Sequence, residues 1–136
     1  MYKYSKKSLE KLKDLHPRLK EFFMELIKIT PYDITITQGI RTAEEQHTLW
    51  QQGRFIGGNI VTNADGYVNR SNHQVKEDGF GYAGDIAVLV NNKITWDIKY
   101  YKEVGEAARF LMGKYNIKWG GDWKFKDYPH FEYKGE

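Results

Sequence analysis

The stretch S-N-H-Q-V-K-E-D-G-F-G-Y-A-G-D-I-A-V, residues 71–88, carries a histidine and an aspartate ahead of an apolar run. Asp85 leads directly into I-A-V-L-V at 86–90, which predicts a strand that would hold Asp85 rigidly at its start. His73 precedes it in the same stretch, and His130 follows near the C-terminus in D-Y-P-H-F-E. Imidazole nitrogens and carboxylate oxygens are ligands that zinc accepts. The three residues form a candidate metal site, although each taken alone is more often an ordinary surface or core residue.

Two further residues could complete a hydrolytic site around such a metal. Asp127 lies three residues before His130, so the two could share a turn and Asp127 could act as a general base. Arg41 follows a predicted strand and is the best placed cation to stabilise a developing oxyanion. Taken alone, a loop carboxylate and a surface arginine would explain both residues equally well.

Composition narrows the class of protein. The 136 residues predict one domain, residues 1–136, which is long enough to bury a core without disulfides. Cysteine is absent, which excludes thiolate metal sites, thiol nucleophiles and disulfide frameworks. Aromatic residues make up 15% of the chain, too many for a disordered sequence, so they fill a core or line a groove.

Charge and hydropathy limit the expected partners. The net charge of +3 is mild and the basic residues are spread, apart from a denser patch at 3–13, so no nucleic-acid partner is expected. No apolar run reaches the roughly 18 residues of a transmembrane span, so no membrane insertion is expected. The N-terminus lacks the apolar centre of a secretory signal, which predicts synthesis in the cytoplasm and release by another factor.

Hydrophobic periodicity predicts an α+β fold, a small mainly antiparallel sheet with helices packed against it. Helices are expected from Ser5 or Ser8, from Pro17, from Thr42 and across 97–115, the first with Leu9 on its apolar stripe. Strands are expected at 33–37, 84–90, 93–95, 117–119 and 129–133, with a hairpin or ordered loop at 59–68.

Several motifs together resemble the superfamily of zinc peptidases that includes D-alanyl-D-alanine carboxypeptidases and phage L-alanyl-D-glutamate peptidases. They are S-x-H with G-x-A-x-D at 71–85, Q-G-I-R-T-A-E-E-Q-H-T-L-W-Q-Q-G-R at 38–54, G-N-I-V-T-N-A-D-G at 58–66, and W-G-G-D-W with D-x-P-H-F-E at 119–132. The resemblance covers residues 30–134, and the short chain is similar to compact endolysins of the phage branch. It implies a hedgehog and D,D-peptidase-like fold, with the zinc site in a cleft at the sheet.

The resemblance implies a role for each candidate residue. His73, Asp85 and His130 would bind Zn²⁺, Asp127 would be the general base, and Arg41 would stabilise the oxyanion. Substrate-binding or supporting positions would be Ser71, which orders the loop of the first ligand, and the cleft-wall residues Trp119, Asp122 and Trp123.

The activity that the resemblance implies is zinc-dependent hydrolysis of peptidoglycan stem peptides. It favours an L-alanyl-D-glutamate endopeptidase that acts as a monomeric phage or prophage endolysin and reaches the wall with the help of a holin. Three alternatives stay open on the sequence. They are a D-alanyl-D-alanine carboxypeptidase or dipeptidase, a non-catalytic wall-binding module, and a basic nucleic-acid binder.

One segment departs from the pattern of this superfamily. Gly81 of the G-x-A-x-D motif lies eight residues after His73, where the superfamily usually has about three, and V-K-E-D-G-F at 75–80 lies between them. We expect the added polar residues to form a bulging loop that moves neither ligand. Glu77 or Asp78 in this loop could instead compete as a ligand or bind a second ion.

Overall fold

The fold is built from helices that pack against a small antiparallel sheet, as predicted. It is a computed structural model, and it describes residues 1–135. The helices are α1 (Lys6–Leu12), α2 (Pro17–Ile29), α3 (Ala43–Gln51), α4 (Ile98–Ala107) and α5 (Arg109–Tyr115). The strands are β1 (Asp33–Gln38), β2 (Ala83–Val90), β3 (Lys93–Thr95), β4 (Ile117–Trp119) and β5 (His130–Tyr133), and a 3₁₀ turn spans Gly120–Asp122.

Strand β2 organises the sheet. The strand order is β1-β2-β5-β4, β3 also pairs with β2, and every pairing is antiparallel. The register places Asp85 directly opposite His130, and a bulge in β1 places Gln38 opposite Asp85 on the other side. The β2–β3 hairpin turns through Asn91 and Asn92, which both have positive φ, a conformation that asparagine tolerates and that this type of turn requires.

The hydrophobic core lies between the helices and the sheet. Phe22 and Phe23 on α2 and Phe131 on β5 are fully buried, and the ring centroids of Phe22 and Phe131 are 5.4 Å apart. Burial of side chains this large contributes about 1.5–3 kcal/mol each. Because β5 is clamped between α2 and its neighbouring strands, the backbone that carries His130 is held rigidly.

Local signals in the sequence explain most of the helix starts. Ser5 caps α1 by accepting the Ser8 N–H, and Pro17 occupies the first turn of α2, as predicted. Thr42 and Glu45 form the predicted capping box of α3. The segment 59–68 is an ordered loop, in which Asp65 accepts three backbone N–H groups.

Two expectations about the helices are wrong. The predicted single helix over 97–115 is interrupted at Ala108, whose φ and ψ of −82° and −7° let α5 turn away from α4 to pack against α2. Leu9 is 45% exposed, because α1 turns Ser8 towards the sheet instead, where the Ser8 hydroxyl accepts the Ile36 N–H. Within residues 1–135, the helices are too short or too polar to cross a membrane.

Candidate metal centre

The sheet brings together two of the three predicted ligands. Since Asp85 and His130 are cross-strand partners, their side chains meet on one face, with Asp85 Oδ1 3.0 Å from His130 Nδ1. The other imidazole nitrogen, Nε2, lies 2.7 Å from Glu132 Oε1. Ionised carboxylates only accept hydrogen bonds, so both nitrogens of metal-free His130 face acceptors, Nε2 towards Glu132 and Nδ1 towards Asp85.

The third predicted ligand comes from the loop segment between α3 and β2. His73 Nδ1 lies 2.9 Å from the carbonyl oxygen of Gly39, which can only accept, so Nδ1 carries the proton. The free nitrogen, Nε2, lies 3.4 Å from Asp85 Oδ2. The backbone of His73 is also tied down, because its carbonyl accepts the Arg41 N–H and its own N–H donates to Ser71 Oγ. Loop and sheet therefore converge on one carboxylate.

A buried glutamine holds the loop that carries His73. Gln74 is 1% exposed, accepts the Ser71 N–H and donates to the carbonyl of Gly66. Residues 75–80 form a closed bulge beyond it, since the Tyr82 N–H donates to the Asn72 carbonyl at its base. His73 and Asp85 still meet, as the prediction of a bulging loop requires.

The three residues match the donor set of a zinc site. One ligand atom each from His73, Asp85 and His130 lies within 4.8 Å of the others. In each histidine one nitrogen is held by a protein acceptor and the other faces the same carboxylate, an arrangement typical of metal-ligating imidazoles. Two histidines and one carboxylate leave a fourth position for water or substrate. Asp78 belongs to a different contact, since it accepts from the Phe80 N–H and the Tyr82 hydroxyl.

Electrostatics in this cluster are dominated by burial and by the carboxylate. Burial alone would raise the pKa of Asp85, but the hydrogen bond with His130 and the close approach of the His73 ring outweigh it and hold the pKa below its usual range. Burial alone would lower the pKa of His130, but Asp85 and Glu132 raise it to about 9. A proton therefore occupies the cluster when no metal does, and a metal ion would replace it.

Asp127 lies beside the ligands at the edge of the cleft. It forms a turn with His130, whose N–H donates to the Asp127 carbonyl, and its Oδ2 lies 3.9 Å from His130 Nδ1. The turn packs tightly on Gly120, where a Cβ atom would lie 2.1 Å from the Asp127 carbonyl oxygen. Burial and the nearby charge of Asp85 raise the pKa of Asp127. A carboxylate with a raised pKa is a better proton acceptor than an ordinary one.

Arg41 lies across the cleft, where the chain leaves β1. Its NH1 donates to Gln46 Oε1 at 2.6 Å, and Gln46 is itself fully buried and bonded to the carbonyl of Ala64. The Arg41 Nε is buried without a hydrogen-bond partner within residues 1–135. Burial lowers the pKa of the guanidinium, although Asp85 opposes this. The guanidinium is therefore oriented by Gln46 within the cleft that it lines.

The ligands, Asp127 and Arg41 line a single cleft of about 440 Å³. Its walls come from α3, the following loop, the loop before His73 and the segment after β4, namely Leu49, Gln52, Val61, Thr62, Ser71, Asn72, Trp123 and Glu132. Trp123 covers one side of the metal centre, with its ring centroid 5.0 Å from that of His130.

The structure places the predicted supporting residues in different surroundings. Ser71 and Trp123 line the cleft, but Trp119 and Asp122 do not. Trp119 is 3% exposed and packs in the core, where its Nε1 donates to the Tyr128 carbonyl. Asp122 pairs with Arg109 on a separate surface. Trp119 and Asp122 therefore lie outside the cleft that the ligands line.

Sequence reasoning missed three residues that support the site. Glu132 contacts His130, Asn72 contacts Glu132, and Gln46 orients Arg41. Glu132 could have been found, because residues two apart in a strand share a face, so a strand that begins at His130 places Glu132 beside it.

Known proteins resemble this chain in sequence and in fold. A family model described as phage L-alanyl-D-glutamate peptidase matches residues 1–135. The chain is 39% identical over 133 residues to the peptidoglycan L-alanyl-D-glutamate endopeptidase CwlK of Bacillus subtilis, covering 88% of this chain and 73% of that protein. It is 29% identical over 136 residues to the L-alanyl-D-glutamate peptidase of Escherichia phage T5, covering 98% of this chain and 90% of that protein.

A solved structure has the same fold. The crystal structure of the Serratia marcescens L-Ala D-Glu endopeptidase ChiX matches with a TM-score of 0.71 at 19% identity, covering 98% of this chain and 90% of that chain. The family predicted from the motifs around His73 and His130 is thereby confirmed, because the family model spans all the described residues. This chain belongs to the phage L-alanyl-D-glutamate peptidase family.

Proposed function

We propose that this protein is a zinc-dependent peptidoglycan endopeptidase that hydrolyses the L-alanyl-D-glutamate bond of the stem peptide. The observation that carries the proposal is the convergence of two imidazole nitrogens on the two oxygens of Asp85, at 3.0 and 3.4 Å. A further carboxylate and a half-buried arginine lie in the same cleft. The names of CwlK and the phage T5 peptidase support the choice of bond.

The metal would be held by His73 through Nε2, by Asp85, and by His130 through Nδ1, since the other nitrogen of each histidine is already occupied. When bound, zinc supplies a Lewis acid for the scissile carbonyl and lowers the pKa of water. The protein contributes the ligand geometry, an open coordination position and a cleft that orients the peptide.

The proton transfers fall to Asp127. Its raised pKa and its position beside His130 suit it to take a proton from the attacking water as the new carbon–oxygen bond forms. The same carboxyl group then gives the proton to the departing D-glutamate nitrogen as the carbon–nitrogen bond breaks. Arg41 stabilises negative charge on the carbonyl oxygen with its oriented guanidinium.

Because the proposed substrate is peptidoglycan, the reaction takes place at the bacterial cell wall. We propose that residues 1–136 act as one catalytic domain and as a monomer in a phage or prophage lysis system, reaching the wall after release through a holin. The homologue from phage T5 supports a lytic role.

The test is digestion of purified peptidoglycan, followed by mass analysis of the products. Cleavage at the proposed bond leaves L-alanine at the new C-terminus and D-glutamate at the new N-terminus. Loss of terminal alanine alone would identify a carboxypeptidase instead. Wall binding without turnover, unchanged in His130→Ala, would identify a binding module.

A further inference from the structure

The metal centre continues outward in a row of polar contacts that ends in the loop 75–80. His130 Nε2 lies 2.7 Å from Glu132 Oε1, and Asn72 Nδ2 donates to Glu132 Oε2 at 2.9 Å. Lys76 Nζ donates to Asn72 Oδ1 at 3.0 Å. We propose that Glu132, Asn72 and Lys76 are positioning residues that fix the tautomer and orientation of His130 for the metal. This inference rests on the proposed function.

Glu132 decides which nitrogen of His130 is free. The neutral imidazole has one donor and one acceptor nitrogen, and the metal needs the acceptor. Glu132 accepts a hydrogen bond from Nε2–H, so Nδ1, which faces Asp85, is the nitrogen left to bind the metal. The side chain of Glu132 is only 14% exposed, which strengthens its contacts relative to those at a surface.

Asn72 holds Glu132 in this position through a defined amide orientation. Its NH₂ group faces the carboxylate of Glu132, and its oxygen faces the ammonium group of Lys76. A flipped amide would place oxygen against a carboxylate and NH₂ against a cation, so both neighbours would be left unpaired. The anion and the cation therefore favour the same orientation of Asn72.

Lys76 connects this row of contacts to the loop 75–80. The loop is closed upon itself by two backbone bonds, from the Lys76 N–H to the Phe80 carbonyl and from the Gly79 N–H to the Lys76 carbonyl. The ammonium group of Lys76 also lies 5.0 Å from the ring centroid of Tyr82. Since the loop fixes the backbone of Lys76, this loop supports the metal centre from outside without supplying a ligand.

The test measures zinc affinity by competition with a chromophoric chelator. Glu132→Gln should bind zinc about 10–100-fold more weakly, as expected for loss of an outer-shell carboxylate. Asn72→Asp keeps an acceptor for Lys76 but cannot donate to Glu132, and should weaken binding by a smaller factor. Lys76→Met should weaken it by at most about 5-fold, because the contact is exposed. Lys99→Met is the matched control, since Lys99 lies over a tyrosine ring at 4.9 Å elsewhere.

Two further readouts separate positioning from general destabilisation. In the zinc-loaded wild type, a nitrogen-15 spectrum of the His130 ring should show a protonated Nε2, and Glu132→Gln should broaden or shift this signal. In an Asn72→Leu background, Lys76→Met should cause no further loss of zinc affinity, because Lys76 acts through Asn72.

Each outcome decides a separate question. Full zinc affinity in Glu132→Gln, or additive effects of Lys76 and Asn72, would overturn the inference while leaving the proposed function intact. A wild type that binds no zinc would instead overturn the proposed function.

Discussion

Asp85 and His130 face each other across two hydrogen-bonded strands, whereas His73 lies among the turns and loops of residues 52–82. The positions of the first two residues follow from strand register, which the buried core under β2 and β5 maintains. The position of His73 follows from individual contacts, above all the Gly39 carbonyl and the buried side chain of Gln74.

The metal centre therefore has a sheet half, Asp85 and His130, and a loop half, His73, and the two halves differ in how much sequence change they tolerate. A one-residue register slip would turn every side chain of a strand to the other face, so the sheet half is fixed together with the whole fold. The loop half depends on a few hydrogen bonds, each of which contributes about 0.5–1.5 kcal/mol. It can therefore take added residues at 75–80, provided that its base between Asn72 and Tyr82 stays closed.

The largest expected effect distinguishes a metal ligand, His73, from the general base, Asp127. His73→Ala should lose zinc and activity together. Asp127→Asn should retain zinc but lower kcat by about 10²–10⁴-fold, because only proton transfer is removed. The measurements are metal content after dialysis and the initial rate on purified peptidoglycan. Equal zinc loss in both variants would contradict the assigned roles and make Asp127 a ligand.

The second effect concerns Arg41, which joins the two halves of the site. Arg41→Met should lower kcat by about 10²–10³-fold, the usual cost of removing one oxyanion donor, with zinc content unchanged. Its backbone N–H to His73 is kept in this variant. Arg18→Met on α2 serves as the control. A rise in KM with unchanged kcat would assign Arg41 to peptide binding instead.

The sequence predicts the sheet half better than the loop half, and the reason is physical. The apolar run after Asp85 and the aromatic residues around His130 carry periodic signals, which locate β2 and β5. Which residues of two strands face each other depends on register, so the pairing of Asp85 with His130 needed the fold.

Contacts made by single side chains were less predictable. Asn72 and Gln46 are polar residues in a loop and on a helix, and nothing in their spacing marks them as partners of Glu132 and Arg41. Trp119 lies in a glycine-rich motif that indicated the cleft wall, whereas its ring fills the space beside Gly105. The interruption at Ala108 is likewise hidden, because apolar periodicity continues through it.

The third prediction tests whether the buried hydrogen bonds of Gln74 stabilise the loop half locally. Gln74→Leu keeps a similar side-chain volume but removes two buried hydrogen bonds, one to the Ser71 N–H and one to the Gly66 carbonyl. Leaving a buried polar group without its partner costs about 1–3 kcal/mol of stability. We expect faster amide hydrogen exchange in residues 59–82 and about tenfold weaker zinc binding. Phe22→Leu is the counterpart in the core and should lower global stability with little change in zinc affinity. Uniformly faster exchange in Gln74→Leu would contradict local stabilisation.

The smallest expected effect is a pH dependence of the stability of the metal-free protein, which arises from His130 in the sheet half. Asp85 and Glu132 raise the pKa of His130 from 6.5 to about 9 in the folded metal-free protein. Its stabilising contribution is therefore complete below pH 6.5 and is lost as the pH rises through 9, because the unfolded chain releases this proton earlier. Urea unfolding of chelator-treated protein should show stability falling over this range, and His130→Gln should remove that part of the slope. With saturating zinc the dependence should reverse, since the metal replaces the proton and binds more tightly as the pH rises. The same change of stability with pH in the wild type and in His130→Gln would mean that His130 does not hold the proton in the metal-free cluster.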